Sequence, residues 1–179
     1  MLRNLLRRNR SPILNDPKKP HPTVFAPELI AMIEAGAGLI IGTVDGDGNP
    51  RGIRAWGAWV VDADAGTLRV MFTGDDRAVV DNLAGRKVAV TAADVRTLRS
   101  VQAKGRVVAV GQPTAAELEL AERQTESFFM GVHETDGNPI ELLRAMLPST
   151  QLVLEMIVDE QYDQTPGPTA GSALQIGRT

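Results

Sequence analysis

Apolar and polar positions along the chain change their spacing near residue 39. Before that point, Pro27-Glu28-Leu29-Ile30-Ala31-Met32-Ile33-Glu34-Ala35 places apolar residues at 29, 30, 32 and 33. This spacing predicts a short helix with one buried face, Pro at its first position and Gly36 at its end. After it, Leu39–Val44 reads as a strand, and Asp45-Gly46-Asp47-Gly48-Asn49-Pro50 is dense in turn formers. A second strand is expected from about Arg51 to Val61, a turn over 62–66, and a third strand over Thr67–Thr73. Asp75–Ala84 reads as a helix with acids in its first turn, where they suit the helix dipole. Lys87–Ala92 and Leu98–Val110 are the fourth and fifth strands.

Thr114 then stands three residues before Glu117 in capping-box spacing, which opens the longest predicted helix, to about Met130. A further short helix is expected within Asn138–Leu147, between Pro139 and Pro148, and Gln151–Val158 is the final strand. Residues 44–67 leave no room for the helical crossover that parallel strands require. The fold class expected is therefore mainly β: a six-stranded antiparallel barrel with peripheral helices. It occupies residues 27–160, with a helical insertion at about 114–147.

The ends differ from this body. Residues 1–26 form a basic, proline-rich leader, since Pro12, Pro17, Pro20, Pro22 and Pro27 forbid a continuous helix or a central strand over 11–27. Residues 1–19 hold six basic residues against the single acid Asp16, a net charge of +5, whereas the other 160 residues carry −8. An acidic body argues against a nucleic-acid-binding face there, and the basic head is suited to an anionic partner or to its own body. Leu2, Leu5 and Leu6 are interrupted by Arg3 and Asn4, so the head lacks the apolar centre of a secretory signal. With no run of about 18 apolar residues there is no expected membrane span, and a cytoplasmic location is expected. Residues 161–179, rich in Pro and Gly, are expected to be irregular.

Composition removes several chemistries. The chain has 179 residues and no cysteine, which excludes disulfides, thiolate metal sites and cysteine nucleophiles. Only His21 and His133 offer imidazole, so no metal site is expected. Asp45, Asp47 and Asn49 imitate the start of a calcium loop, but Pro50 stands where Gly is needed and Trp56 where a bidentate Glu is needed. Gly36, Gly38 and Gly42 have one residue too many for a dinucleotide fingerprint and follow a helix rather than a strand. The adjacent acids Asp75/Asp76 and Asp159/Glu160 read as solvated pairs. Trp56 and Trp59, three apart on one strand, are expected on opposite faces, and Phe128, Phe129 and Met130 are expected to pack the long helix on the barrel.

One stretch points further. Leu68–Val90 contains Phe72-Thr73 at a strand end, then Gly74-Asp75-Asp76-Arg77-Ala78, a helical segment, and Gly85-Arg86-Lys87 leading into a strand. Upstream lies Asp45-x-x-Gly48-x-Pro50 with Trp56 six residues on; downstream lies Ser100-Val101-Gln102-Ala103-Lys104-Gly105. In order and spacing, residues 28–112 resemble the pyridoxamine-5′-phosphate-oxidase-like family, the flavin-binding split barrels. The resemblance implies a homodimer that binds flavin mononucleotide (FMN) in a groove between subunits and acts on a small-molecule substrate. By position in its motifs it implies Arg77 on the phosphate, with Arg54, Ala55 and Trp56 on the strand that supplies further contacts. Phe72 and Thr73 stand at the aromatic-Thr pair, and Ser100 and Gln102 on the strand beside the ring. No catalytic side chain is assigned. Asp76-Arg77-Ala78 replaces the Ser-Arg-Lys cluster of the oxidases, and the oxidases' C-terminal Trp and Arg have no counterpart, so oxidation of pyridoxamine phosphate itself is not expected. The same groove suits a deazaflavin-dependent reductase, and a non-catalytic module for heme or another planar ligand is the remaining alternative.

Overall fold

A computed structural model describes residues 25–81 and 83–174. Residues 1–24 of the expected leader and residues 175–179 of the tail lie outside that range. The element order is α1 (Pro27–Glu34), β1 (Gly38–Val44), β2 (Pro50–Asp62), β3 (Thr67–Thr73), α2 (Arg77–Val80), β4 (Lys87–Ala93), β5 (Ser100–Gly111), α3 (Ala115–Asp136), α4 (Ile140–Arg144) and β6 (Gln151–Asp163). The strands close into a barrel in the order β1-β2-β3-β6-β5-β4, every pair antiparallel. This is the mainly-β architecture that the strand spacing predicts.

Alternation along the strands fills the barrel. Leu39 and Ile41 of β1, Val70 and Phe72 of β3, Val88 and Val90 of β4, and Leu154 and Met156 of β6 all enter one buried cluster. Burying a side chain of this size contributes about 1.5–3 kcal/mol, so the barrel interior supplies most of the apolar driving force. Helix α1 closes one end through Leu29 and Ile33, and the Ala26 N–H donates to Gln161 Oε1 at 2.8 Å. Gly105 faces the Ile157 carbonyl so closely that a Cβ would stand 2.0 Å from its oxygen, which admits no other residue at that bulge between β5 and β6.

Four boundaries differ from the sequence expectation, each for a local reason. The helix expected over 75–84 shrinks to Arg77–Val80. Asp75 turns away to accept from the Thr150 N–H and the Ser149 hydroxyl, and Asp76 becomes the N-cap, accepting from Val79 N–H. The fifth strand starts at Ser100 rather than Leu98, because Leu98 sits at φ 59° in a turn held by Asp94. Helix α3 continues past Met130 to Asp136 and stops at Gly137, whose φ of 71° suits a left-handed C-cap. Strand β6 extends to Asp163 because β5 offers it partners as far as Val101. Beyond it, residues expected to be irregular fold back, with Tyr162 bridging Ala173 and the Leu174 N–H donating to the Gln161 carbonyl.

The two tryptophans correct a fifth expectation. A bulge between Ala55 and Gly57 inserts one residue into β2, so side chains on either side of it resume the same phase. Ile53, Ala55, Ala58 and Val60 point into the barrel, while Trp56 and Trp59 both point outward beneath α3. Trp56 packs edge-on against Phe129 at 6.3 Å between centroids, and Trp59 packs with Met71, Ala121 and Val153.

Candidate functional groove

The outer face of β2, β1, β4 and β5 carries a strip on which the strand registers align four predicted or neighbouring side chains. Ile40 is the cross-strand partner of Arg54 on one side and of Thr91 on the other, and Thr91 is the partner of Gln102. Three strand spacings separate Arg54 from Gln102, about 14 Å. One step along, Gly52 faces Gly42 and Gly42 faces Ala89, so the strip has an almost side-chain-free flank. A Cβ built at Gly52 would meet nothing within 4 Å. Ile40 leaves 57% of its surface open on this face.

At the α3 side the strip deepens into a groove of about 210 Å3 lined by Gly38, Ile40, Arg54, Trp56, Thr91 and Phe128 among others. Gly38 leaves room there for the Phe128 ring, which a Cβ would meet at 2.8 Å. The Arg54 guanidinium stands over the Trp56 ring, 5.6 Å from its centroid, a cation–π contact, and has no carboxylate partner among the described residues. Trp56 is itself fixed by donating from Nε1 to Thr73 Oγ1 at 2.9 Å. That bond ties β2 to the end of β3, immediately before the short loop that leads to Arg77 at the start of α2. At the far end, Gln102 Nε2 donates to Thr91 Oγ1 at 2.8 Å, which sets the Gln102 side chain along the strip.

The remaining predicted residues divide. Ala55 and Phe72 point into the barrel core, so their side chains do not face the groove and only their backbone remains available to a ligand. Ser100 is buried at the start of β5, its N–H donating to Thr165 Oγ1 at 3.1 Å. Arg77 is 74% exposed and makes a loose pair with Asp81 at 3.8 Å, one turn along α2. Sequence reading missed Ile40, Thr91 and Phe128. Their strands and helix were legible, but nothing in the local pattern brings residues 40, 91 and 128 to one place.

Beside Gln102 lies a second polar group. Lys104 Nζ sits over the Tyr162 ring at 4.6 Å, and the Tyr162 hydroxyl donates to Glu160. That bond to a carboxylate, with some burial, raises the Tyr162 hydroxyl above its ordinary range. No cluster of His, Asp or Glu suited to a metal ion occurs among the described residues. No described helix is long and apolar enough to cross a membrane.

No family model matches the chain. No curated protein matches it either. Solved structures similar to it include HupZ of Group A Streptococcus, 17% identical, covering 82% of this chain and 99% of that one at a TM-score of 0.48. A putative pyridoxamine 5′-phosphate oxidase of Lactobacillus delbrueckii is 18% identical over 77% of this chain and 93% of that one, at a TM-score of 0.47. An F420 reductase is 17% identical over 73% and 93% of the two chains, also at 0.47. Pyridoxamine 5′-phosphate oxidase-like and related split-barrel proteins are thus among the solved structures to which this chain is similar.

Proposed function

We propose that the chain binds flavin mononucleotide along the Arg54–Gln102 strip, as a homodimer, and serves as an oxidoreductase for a small molecule. The observation that carries this reading is the strip itself: about 14 Å of sheet face, flanked by Gly52, Gly42 and Ala89, with a cation that has no carboxylate partner at one end and an amide at the other. A planar ring system needs a flat slot with a few polar contacts at its rim. Its phosphate needs fixed cations, and a guanidinium offers two donors at once. Arg54 stands at the end of the strip, and Arg77 opens α2 four residues after Thr73. Bound there, the flavin would supply hydride exchange with the substrate. Trp56, Phe128 and Ile40 exclude water from one flank, and Gln102 presents a polar contact to the ring edge.

The open Ile40 face is where a second copy would seat, covering the strip and completing the groove. The groove lining among the described residues contains no His, Met, Cys or Tyr to ligate an iron, which favours flavin or deazaflavin over heme. The visible spectrum of the purified protein, or of the protein titrated with FMN, is the test. Flavin bands with quenched fluorescence are expected; a single deazaflavin band or a Soret band would replace the cofactor assignment. Sedimentation should give a dimer at micromolar concentration, and a monomer that still binds FMN would remove the shared groove.

A further inference from the structure

The outer surface of α3 and α4 carries an apolar patch that neither the barrel nor the proposed groove uses. Leu118, Met130, Leu142, Met146 and Leu147 each leave more than two-fifths of their surface in solvent. Between the helices and the start of β6 runs a groove of about 300 Å3, lined by Leu118, Phe129 and Leu147 together with Glu122, Glu126 and Arg144. The region is acidic: residues 115–147 hold seven acids against Arg123 and Arg144, a net charge of −5. Glu126 is held by both Arg144 nitrogens at 2.7 and 3.0 Å, but Glu119 and Glu122 make no ion pair among the described residues.

An apolar groove edged by the unpaired Glu122, with the unpaired Glu119 one turn before it on α3 in a region of net charge −5, calls for an occupant that is apolar and basic. The chain carries one. Leu2, Leu5 and Leu6 are interleaved with Arg3, Arg7, Arg8 and Arg10, and residues 1–19 carry +5 against the −5 of the α3–α4 region. Twenty-four residues precede Phe25. An extended stretch such as 11–24, with four prolines, spans up to about 43 Å at about 3.1 Å per residue. The Ser127 hydroxyl of α3 donates to the Ala35 carbonyl at the end of α1, so the α3 groove lies within that span of Phe25. We propose that residues 2–10 dock on the α3–α4 groove of their own chain. Leucines enter beside Phe129 and Leu147, and arginines face Glu119 and Glu122. The tether makes the contact intramolecular at an effective concentration near millimolar, so a weak contact is sufficient, whereas a separate partner would need far higher affinity.

The absence of cysteine makes the test direct. In the full chain, Leu5→Cys with Leu147→Cys should form an intrachain disulfide about tenfold faster than Leu5→Cys with Leu98→Cys, whose partner is the more open of the two but lies on the β4–β5 turn. The rate should not depend on protein concentration and should fall in about 0.5 M salt. As a second readout, deleting residues 2–10, or combining Glu119→Lys with Glu122→Lys, should raise fluorescence of an apolar dye about twofold or more while the circular dichroism of the barrel is kept. Equal rates for the two cysteine pairs would overturn the proposal. So would a disulfide formed only between chains, which assigns the groove to a second copy. Co-sedimentation with phosphatidylglycerol vesicles, with the Leu5–Leu147 pair unreactive, would assign the segment to a lipid surface and likewise overturn it.

Discussion

Gln124, at the middle of α3, satisfies both backbone groups of Ala58 on β2: its Oε1 accepts from the Ala58 N–H at 2.9 Å and its Nε2 donates to the Ala58 carbonyl at 2.9 Å. One residue along the helix, Thr125 Oγ1 donates to the Trp56 carbonyl at 2.6 Å. These three bonds dock α3 on the bulged part of β2, where the extra residue displaces the strand's ladder. The helix therefore helps to place Trp56, over whose ring the Arg54 guanidinium stands.

Gln124→Ala should be among the most destabilising changes outside the barrel core. It leaves a buried donor and a buried acceptor without partners, at about 1–3 kcal/mol each. Thermal or urea unfolding should show a loss of about 2–4 kcal/mol. A loss below about 0.5 kcal/mol would mean that water replaces the amide without cost.

Gly57→Ala should also destabilise, through crowding rather than lost bonds. A Cβ there would lie 2.8 Å from the Ala121 Cβ and 2.9 Å from Gln124 Oε1. The expected loss is about 1–3 kcal/mol. Ala121→Gly in the same chain should recover part of it, and the double-mutant cycle measures the coupling.

Arg77→Ala should weaken FMN binding about thirty- to a hundredfold while riboflavin binding changes little, because the two ligands differ by the phosphate. Arg77 is open and only loosely held by Asp81, so its release for a phosphate costs little. Fluorescence quenching with both ligands decides it. If the phosphate-specific loss appears instead in Arg54→Ala, the cation over Trp56 is the holder and Arg77 is a surface ion pair.

The β1–β2 turn should respond to acid through Asp45. The Asn49 N–H is the main cause that holds its carboxyl below the ordinary range, with Arg51, the Asn49 side chain and the Asp47 N–H adding to it. A folded value below the unfolded one means that the stabilisation is fully present above the unfolded value, near 3.8, and is lost as pH falls through the folded value. Carbon-detected titration of Asp45 should give a midpoint below 3.8, and Asp45→Asn should abolish the acid sensitivity of the turn. A midpoint at or above 3.8 would show that the turn does not prefer the carboxylate.

Much of this protein is written locally. Alternating apolar positions at 68, 70 and 72 and at 88, 90 and 92 determine strands whose inward residues form the core, because period-two burial is a property of the strand itself. Thr114 and Glu117 determine where α3 starts, because a capping box closes within four residues, and both of its hydrogen bonds are present. The short connections near residues 45–50 and 62–66 determine antiparallel pairing, since no crossover fits. What local pattern does not contain is the bulge at Trp56. It depends on α3, more than sixty residues away, filling the space above Gly57 and meeting the displaced backbone. Without it Trp56 and Trp59 would lie on opposite faces; with it both lie under the helix. The extent of the second helix was likewise set from a distance, by Asp75 turning to Ser149 and Thr150. The groove is tertiary for the same reason. Arg54, Ile40, Thr91 and Gln102 become neighbours only through strand registers, and registers follow from the whole hydrophobic pattern of the closed barrel rather than from any one segment.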